Sequence, residues 1–347
     1  MGWQRVADRV TAVGSENHDG ATEQGEVWLD TDPGIDDALA ITLAVAEGVR
    51  IRGLSSVAGN VGEDLVAANL VRLREALRSA IPSALGGSEI VRGATRPLLR
   101  SRMEAVDVHG ADGLGGSLPG ADPAVAAALP RGAAQRLLAL APPGSMWPGT
   151  LVALGPLTNV ATAVLSDRTW PLRLSRLVVM GGSIAAGGNA TPAAEFNFLA
   201  DPEAAQITFT AGFPRLDLVP IDAGATLALG REQLEHLRQS PKPLAQLAAR
   251  LVSYWAGRIS VDGMIIYDAI AWLTVRHPEL FTWRDLHVEV ETTAGAGYGA
   301  SFADRTYHPA PPNCRVAMGA AAEAYWNLFL SLLDGQSPPA ELPPPRR

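Results

Sequence analysis

A chain of 347 residues with 47% hydrophobic and 18% charged residues has the composition of a globular protein able to fill a sizeable core. Its formal net charge of -8 repels phosphate backbones, which argues against nucleic acid as a partner and leaves neutral small molecules and metal cations. The single cysteine, Cys314, excludes an internal disulfide and fits a reducing compartment; with no apolar run of signal-peptide or membrane-spanning length, cytoplasmic residence away from membranes is expected.

Residues 1–25 are polar and without periodicity, and are expected to form a mobile extension. A strand is predicted at EVWLD, followed by a helix over IDDALAITLAVAEG. A second strand, IRGLSSVAG, precedes a helix with a clear 3.6-residue period over EDLVAANLVRLREALRSA. GTLVALG and RLVVMGG read as short buried strands, with LTNVATAVLS and DPEAAQITFTAG as the helices that follow them. RLDLVPID is a further strand, and the tail SPPAELPPPRR is Pro-rich and extended. This alternation predicts a single α/β domain over residues 26–335, an open, mostly parallel sheet with helices on both faces, ahead of a tail over 336–347.

In such sheets ligands gather beyond the carboxyl ends of the strands. The residues found there are Asp30-Thr31-Asp32, Gly59-Asn60, Gly155 and Gly181-Gly182. No GxGxxG follows the first strand, so the dinucleotide fingerprint is absent. Asp30, Asp32, Asp36 and Asp37 place four carboxylates within eight residues at a strand end and a helix start. Helix capping needs one aspartate, not four. Four like charges call for a hard cation, and calcium accepts six to eight oxygen ligands in irregular geometry. The loop is not an EF-hand, because it lacks Gly at its sixth position and has Ile41 where the bidentate Glu belongs. A phosphatase of the haloacid-dehalogenase type also carries Asp-x-Asp after its first strand. The only lysine, Lys242, lies in an SPKP turn, which weighs against that alternative.

The run from Asp30 to Ala38 resembles the DxDPGxDDA hallmark of the inosine–uridine-preferring nucleoside hydrolases. The resemblance continues in order through VAGN ending at Asn60, VHGADGLGG from Val108, ALGPLTN from Ala153, VVMGG from Val178, GNATPAAEFNFLADPEAA from Gly188 and DGMIIYDA from Asp262. It implies hydrolysis of the N-glycosidic bond of ribonucleosides with bound calcium, and a homodimer or homotetramer. It places the metal on Asp32, Asp37, Asp268 and the carbonyl of Leu154, with Asp30 bracing the loop and Asp32 as the general base.

Asp36, Asn189, Glu195 and Asn197 match the family's ribose ligands, and Asp268 also faces the sugar. Turn chemistry is the plainer reading for a lone Asn, but Glu195 beside Asn197 favours the ligand reading. Asn60 follows a strand and either faces the sugar or shapes a turn. His109 either lines the pocket or holds its loop. Where many relatives have His-Asp, this chain has Tyr267-Asp268. Tyrosine, with an ordinary pKa near 10, is a poorer acid than histidine for a departing base, so Tyr267 is expected to stack on the base or hydrogen-bond to it, or only to pack. Tyr254, Trp255 and Arg258 are secondary candidates for base contact. A non-catalytic calcium-dependent nucleoside binder remains the alternative from another class.

Overall fold

The computed structural model describes residues 25–255 and 263–337. The N-terminal extension and the Pro-rich tail fall almost wholly outside these residues, as do Arg258 and Asp262.

The chain opens with β1 (Val27–Thr31), α1 (Ile35–Ala46), β2 (Ile51–Ser56), α2 (Glu63–Ala80) and β3 (Glu89–Val91). It then returns to β4 (Trp147–Ala153), β5 (Leu174–Met180) and β6 (Leu216–Val219). These six strands pair in parallel in the order β3-β2-β1-β4-β5-β6. The strand Cys314–Ala320 adds in parallel beside β6, and Phe281–Leu286 closes the edge antiparallel to it. The expected single α/β domain with a mostly parallel sheet is therefore present.

All five residues of β1 are buried, as befits a parallel strand covered on both faces. Successive side chains serve opposite cores: Trp28 packs with Leu137, Val160 and Leu177, and Leu29 with Leu39, Leu54 and Leu273. Trp28 lies over Gly53 of β2, where an added Cβ would come within 2.4 Å of the indole ring. Its indole N–H donates to Ser55 Oγ at 2.9 Å. In α2 the buried Val66, Leu70, Leu73 and Leu77 form the apolar stripe that the sequence period predicts.

Strand order reverses at β1, whose neighbours β2 and β4 continue the chain in opposite directions along the sheet. The carboxyl ends of β1 and β4 therefore flank the crevice where ligands bind in sheets of this kind. Two helices aim their N-termini there: α1, and the helix Tyr267–Arg276 packed along it. At the far end of this pair, Glu47 accepts from the Trp272 indole at 2.6 Å and contacts His277 Nε2 at 2.8 Å. Arg176 on β5 donates to the carbonyls of Thr274 and Val275 at 3.2 and 3.1 Å, and pairs with buried Asp217 of β6. The helix that carries Asp268 is thus fixed to both α1 and the sheet.

Cys314 is buried and burial pushes its thiol up to about 12, which keeps it protonated and unreactive. Among the described residues no helix is long and apolar enough to cross a membrane.

Candidate active site

β1 delivers Asp32 to the switch point, and two glycines make room for it. A Cβ at Gly59, beyond β2, would come within 1.9 Å of Asp32 Oδ2. One at Gly155, beyond β4, would come within 2.4 Å of Oδ1. The Asn60 amide donates to Asp32 Oδ2 at 2.7 Å, whereas Oδ1 is buried with no hydrogen-bond partner. Asp30 sits one layer deeper. Its Oδ1 accepts from Ser55 Oγ and, at 2.8 Å, from Asn159 Nδ2, so it braces the strand end as expected.

Asp37 in the first turn of α1 is completely buried and collects four donors. The Thr31 hydroxyl at 2.5 Å and the Asp32 amide at 3.3 Å reach Oδ1; the Gly34 amide at 2.9 Å and Asn60 Nδ2 at 3.1 Å reach Oδ2. Asp37 thus caps its own helix, the plainer reading of an aspartate at this position. Ligand oxygens of Asp36, Asp37 and Asp268 lie within 4.8 Å of one another, a group that can hold a metal ion. Asp32 stands outside this trio, and Asp36, expected as a sugar ligand, stands inside it.

Among the described residues no lysine or arginine pairs with Asp32, Asp36, Asp37 or Asp268. Burial, and then the neighbouring Asp37 charge, raise Asp32 well above the ordinary carboxylate range and Asp36 to about 8. Burial and the charges of Asp36, Asp37 and Asp32 likewise raise Asp268. Burial alone raises Asp30 and Glu195 to about 7 against the hydrogen bonds they accept. A buried, oxygen-only, unneutralised donor set with an orphaned carboxylate oxygen fits a hard divalent cation.

The remaining site residues meet around a cavity of about 550 Å³, lined by Asp36, Asn60, His109, Leu154, Asn189, Glu195, Asn197, Tyr267 and Asp268. Several are braces as well as walls. Asn60 spends its side-chain amide on the Asp32 carbonyl and Asp37, which favours the turn-shaping reading. His109 Nδ1 accepts the Ile35 amide at 3.1 Å, so its proton sits on Nε2, and burial lowers its pKa to about 4. It both holds its loop and lines the cavity. Glu195 caps the short helix Phe196–Ala200 and accepts from the amides of Gly182, Asn197 and Phe198. Asn197 Nδ2 donates to the Leu154 carbonyl at 2.7 Å. Asn189, expected as a sugar ligand, accepts the Phe196 amide on Oδ1 at 3.0 Å while lining the cavity.

Trp255 lines the cavity while almost fully buried, and Tyr254 packs across Gly115. A second depression of about 600 Å³, around Arg215, Asp217 and Cys314, contains none of these residues. Sequence reasoning missed Asp222, which accepts the amides of Ile184, Ala185 and Ala186 and so shapes the loop carrying Asn189. Its signal was available, an acid just past the end of the strand RLDLV.

The family model for the inosine-uridine preferring nucleoside hydrolases matches residues 27–327. The chain belongs to the inosine–uridine-preferring nucleoside hydrolase family. A probable uridine nucleosidase 2 from Oryza sativa subsp. japonica is 35% identical over 277 residues, 77% of this chain and 78% of that protein. A pyrimidine-specific ribonucleoside hydrolase, RihA, from Shewanella sp. (strain MR-7) is 35% identical over 325 residues, 90% of this chain and 97% of the relative. Among solved structures, a plant nucleoside hydrolase, the PpNRh1 enzyme, superposes with a TM-score of 0.78 at 28% identity, covering 90% of this chain and 99% of its own. An inosine-guanosine nucleoside hydrolase gives 0.76 at 25% identity, covering 89% and 98%. The protein is accordingly an enzyme, a nucleoside hydrolase, and the phosphatase alternative has no support.

The crowded carboxylates set a pH dependence. Their folded-state values lie above the ordinary 3.8, so the fold favours their neutral forms. That stability is present at low pH and is lost as pH rises toward about 8. In chelator, the contribution of these groups should lower the melting temperature progressively over this range. Asp268→Asn should raise the melting temperature of the metal-free protein at pH 8, because it removes one of the repelling charges. The same variant should shrink the stabilisation produced by a divalent cation, which for a single site is about 2.7 kcal/mol at 100 times the dissociation constant. Thermal denaturation with and without cation checks both directions.

Proposed function

We propose that the protein hydrolyses the N-glycosidic bond of ribonucleosides to free base and ribose, with calcium bound and Asp32 as the general base. The observation that carries this reading is the carboxylate group of Asp36, Asp37 and Asp268 at the 550 Å³ cavity, which Asp36 and Asp268 line, with no basic side chain to neutralise it among the described residues. The names of the relatives, a uridine nucleosidase and a pyrimidine-specific ribonucleoside hydrolase, support ribonucleosides as the substrate class.

Asp37 and Asp268 would hold the cation together with Asp32 and the Leu154 carbonyl, which Asn197 orients. Calcium there supplies a Lewis acid that makes a nearby water easier to deprotonate and favours the vicinal hydroxyls of a ribose. Asp32 presents Oδ1, free of any protein donor, as the atom that takes the proton from the attacking water. The water oxygen bonds to C1′, the C1′–N bond breaks through an oxocarbenium-like state, and its electron pair leaves with the base, which takes up a proton from solvent while Asp32 gives up the proton it took from the water. Asp36 supplies a carboxylate at the sugar end, where its Oδ1 has no hydrogen-bond partner and lies 3.8 Å from His109 Nδ1. Asn189, Glu195 and Asn197 form the facing wall of the cavity.

Tyr267 opens the helix that carries Asp268 and lines the same cavity. Burial, with the charges of Glu195, Asp36 and Asp222, pushes its phenol up to about 12. It therefore stays protonated, able to donate a hydrogen bond to the departing base or to stack on it, and is not an obligate acid.

A panel of nucleosides assayed for free base and reducing sugar tests this function. Turnover should disappear with a calcium chelator and return with calcium. Asp32→Asn should lower kcat by about 10²–10⁴-fold with calcium occupancy measured on the same protein. Near-normal turnover at full occupancy would remove Asp32 as the base. Tyr267→Phe should cost about 0.5–1.5 kcal/mol in kcat/KM, and Tyr267→Ala more, because the stacking surface is lost with the hydroxyl. Equal damage from Phe and Ala would assign the chemistry to the hydroxyl instead.

A further inference from the structure

The loop from Gly181 to Gly188 reads GGSIAAGG, half of it glycine and none of it a long polar side chain. Such a loop has little of its own to hold it, because glycine has the most backbone freedom to lose on folding. It nonetheless joins two residues of the cavity wall, Met180 and Asn189. Its backbone is held from outside, by two residues distant in sequence. Ser301 Oγ accepts the Ser183 amide at 2.8 Å and donates to the Ser183 carbonyl at 2.7 Å. Gly182 has a φ of +70°, and a Cβ there would come within 2.8 Å of both Ser301 Oγ and the Phe198 ring. Asp222 takes the next three amides in succession. Its Oδ2 accepts from Ile184 at 2.8 Å, and its Oδ1 from Ala185 at 2.7 Å and Ala186 at 3.1 Å. The Ser183 hydroxyl reaches Asp222 Oδ2 at 3.3 Å. Successive amides converging on one point form the concavity by which a backbone binds an anion; here the carboxylate is the protein's own.

What Asp222 fixes reaches the cavity through two further bonds. The Gly182 amide donates to Glu195 Oε2 at 2.8 Å, and Asn189 Oδ1 accepts the Phe196 amide at 3.0 Å. Asn189, Glu195, Phe196 and Asn197 all line the cavity, and Asp222 is not among the lining residues. The side-chain hydrogen bonds of Asp222 go to this loop, and among the described residues none reaches Asp32, Asp36, Asp37 or Asp268. Its charge is the smallest of the influences that raise the Tyr267 phenol, after burial, Glu195 and Asp36, so that phenol stays protonated without it. Asp222 is therefore tied to one wall of the cavity and separate from the groups assigned to water activation and metal binding.

We propose that Asp222 is a positioning residue for substrate binding, which holds the loop ahead of Asn189 in its binding arrangement before the nucleoside arrives. This rests on the ribonucleoside hydrolase reading and adds to it a residue that never touches the substrate. A loop ordered in advance spares the substrate the cost of ordering it, so the loss of Asp222 falls on binding and not on bond cleavage.

The test is steady-state kinetics on uridine with the full-length calcium-loaded protein, and the inhibition constant of ribose as a binding readout free of the chemical step. Asp222→Asn keeps one acceptor oxygen and so part of the hold on the loop, whereas Asp222→Ala keeps none. KM and the ribose inhibition constant should rise together by about tenfold in Asp222→Ala, the rise expected when the free loop holds its binding arrangement about one tenth of the time. The rise should be smaller in Asp222→Asn. The values of kcat and of the calcium dissociation constant should stay close to wild type, as for a loss of binding shared by ground and transition states. A purely structural role would instead lower the melting temperature and the active fraction, and with it apparent kcat, without moving KM. If Asp222→Ala does not fold, Asp222→Asn carries every comparison. With Asn189→Ala already in place, the Asp222 substitution should raise KM by less than in wild type, because both act through one wall. A fall in kcat at unchanged KM overturns the assignment, and so do fully additive effects with Asn189→Ala. A wild type that cleaves no ribonucleoside at all overturns the hydrolase reading itself, a result distinct from either of these.

Discussion

Mutual repulsion among buried carboxylates is the constraint around which this fold is organised. Asp32, Asp36, Asp37 and Asp268 come together where the order of the parallel strands reverses, and no lysine or arginine among the described residues offsets them. An ionised carboxylate away from water is strongly disfavoured unless it is paired or well hydrogen-bonded. The chain answers part of this with neutral donors. Asp37 takes four of them, and Asp32 takes the Asn60 amide. The rest is left unanswered in the protein alone, as the orphaned oxygens of Asp32 and Asp36 show. A site that withholds protein partners from its own charges is suited to a cation and to the hydroxyls of a sugar.

Such crowding demands rigid support, and the support is distributed through the sheet. The Asp30–Ser55–Asn159 bonds tie β1 to β2 and to the helix after β4. Asn69 on α2 donates to the Pro33 carbonyl and to the Asp112 carbonyl, and Arg72 holds Asn69, Asp112 and the carbonyls of Leu118 and Pro119. One helix therefore fixes the aspartate loop and the His109 loop together. Buried networks of this kind favour a single arrangement, although Asp30 Oδ2 is left without a hydrogen-bond partner. They keep like charges at ligand spacing when repulsion alone would spread them.

The architecture was largely legible in the sequence because the parallel strands are buried on both faces and read as compact apolar runs between helical periods. The α2 stripe and the strands at EVWLD, GTLVALG and RLVVMGG appear where the pattern places them. β3, only three residues long, and the last two strands of the sheet in chain order were not legible. CRVAMGA carries an arginine and a glycine, and FTWRDL is a half-exposed edge, so neither shows the pattern of a buried strand. The site was legible as residues but not as roles. Motif order brought Asp32, Asp37, Asp268 and Leu154 together, yet nothing in the spacing shows that Glu195 caps a helix or that Asn60 braces two aspartates. Those roles come from hydrogen bonds between loops far apart in sequence, which local pattern does not encode. The motif glycines are the exception, since Gly59 and Gly155 stand where any side chain would overlap Asp32.

The central claim is that these carboxylates exist to hold one hard cation. Crystals grown in millimolar calcium, with anomalous scattering to identify the ion, address it most directly. The account predicts a single ion with oxygen-only ligands from Asp32, Asp37, Asp268 and the Leu154 carbonyl, at the 2.3–2.6 Å distances typical of calcium. A well-ordered site without metal under those conditions, or a zinc ion held by nitrogen ligands, would contradict it.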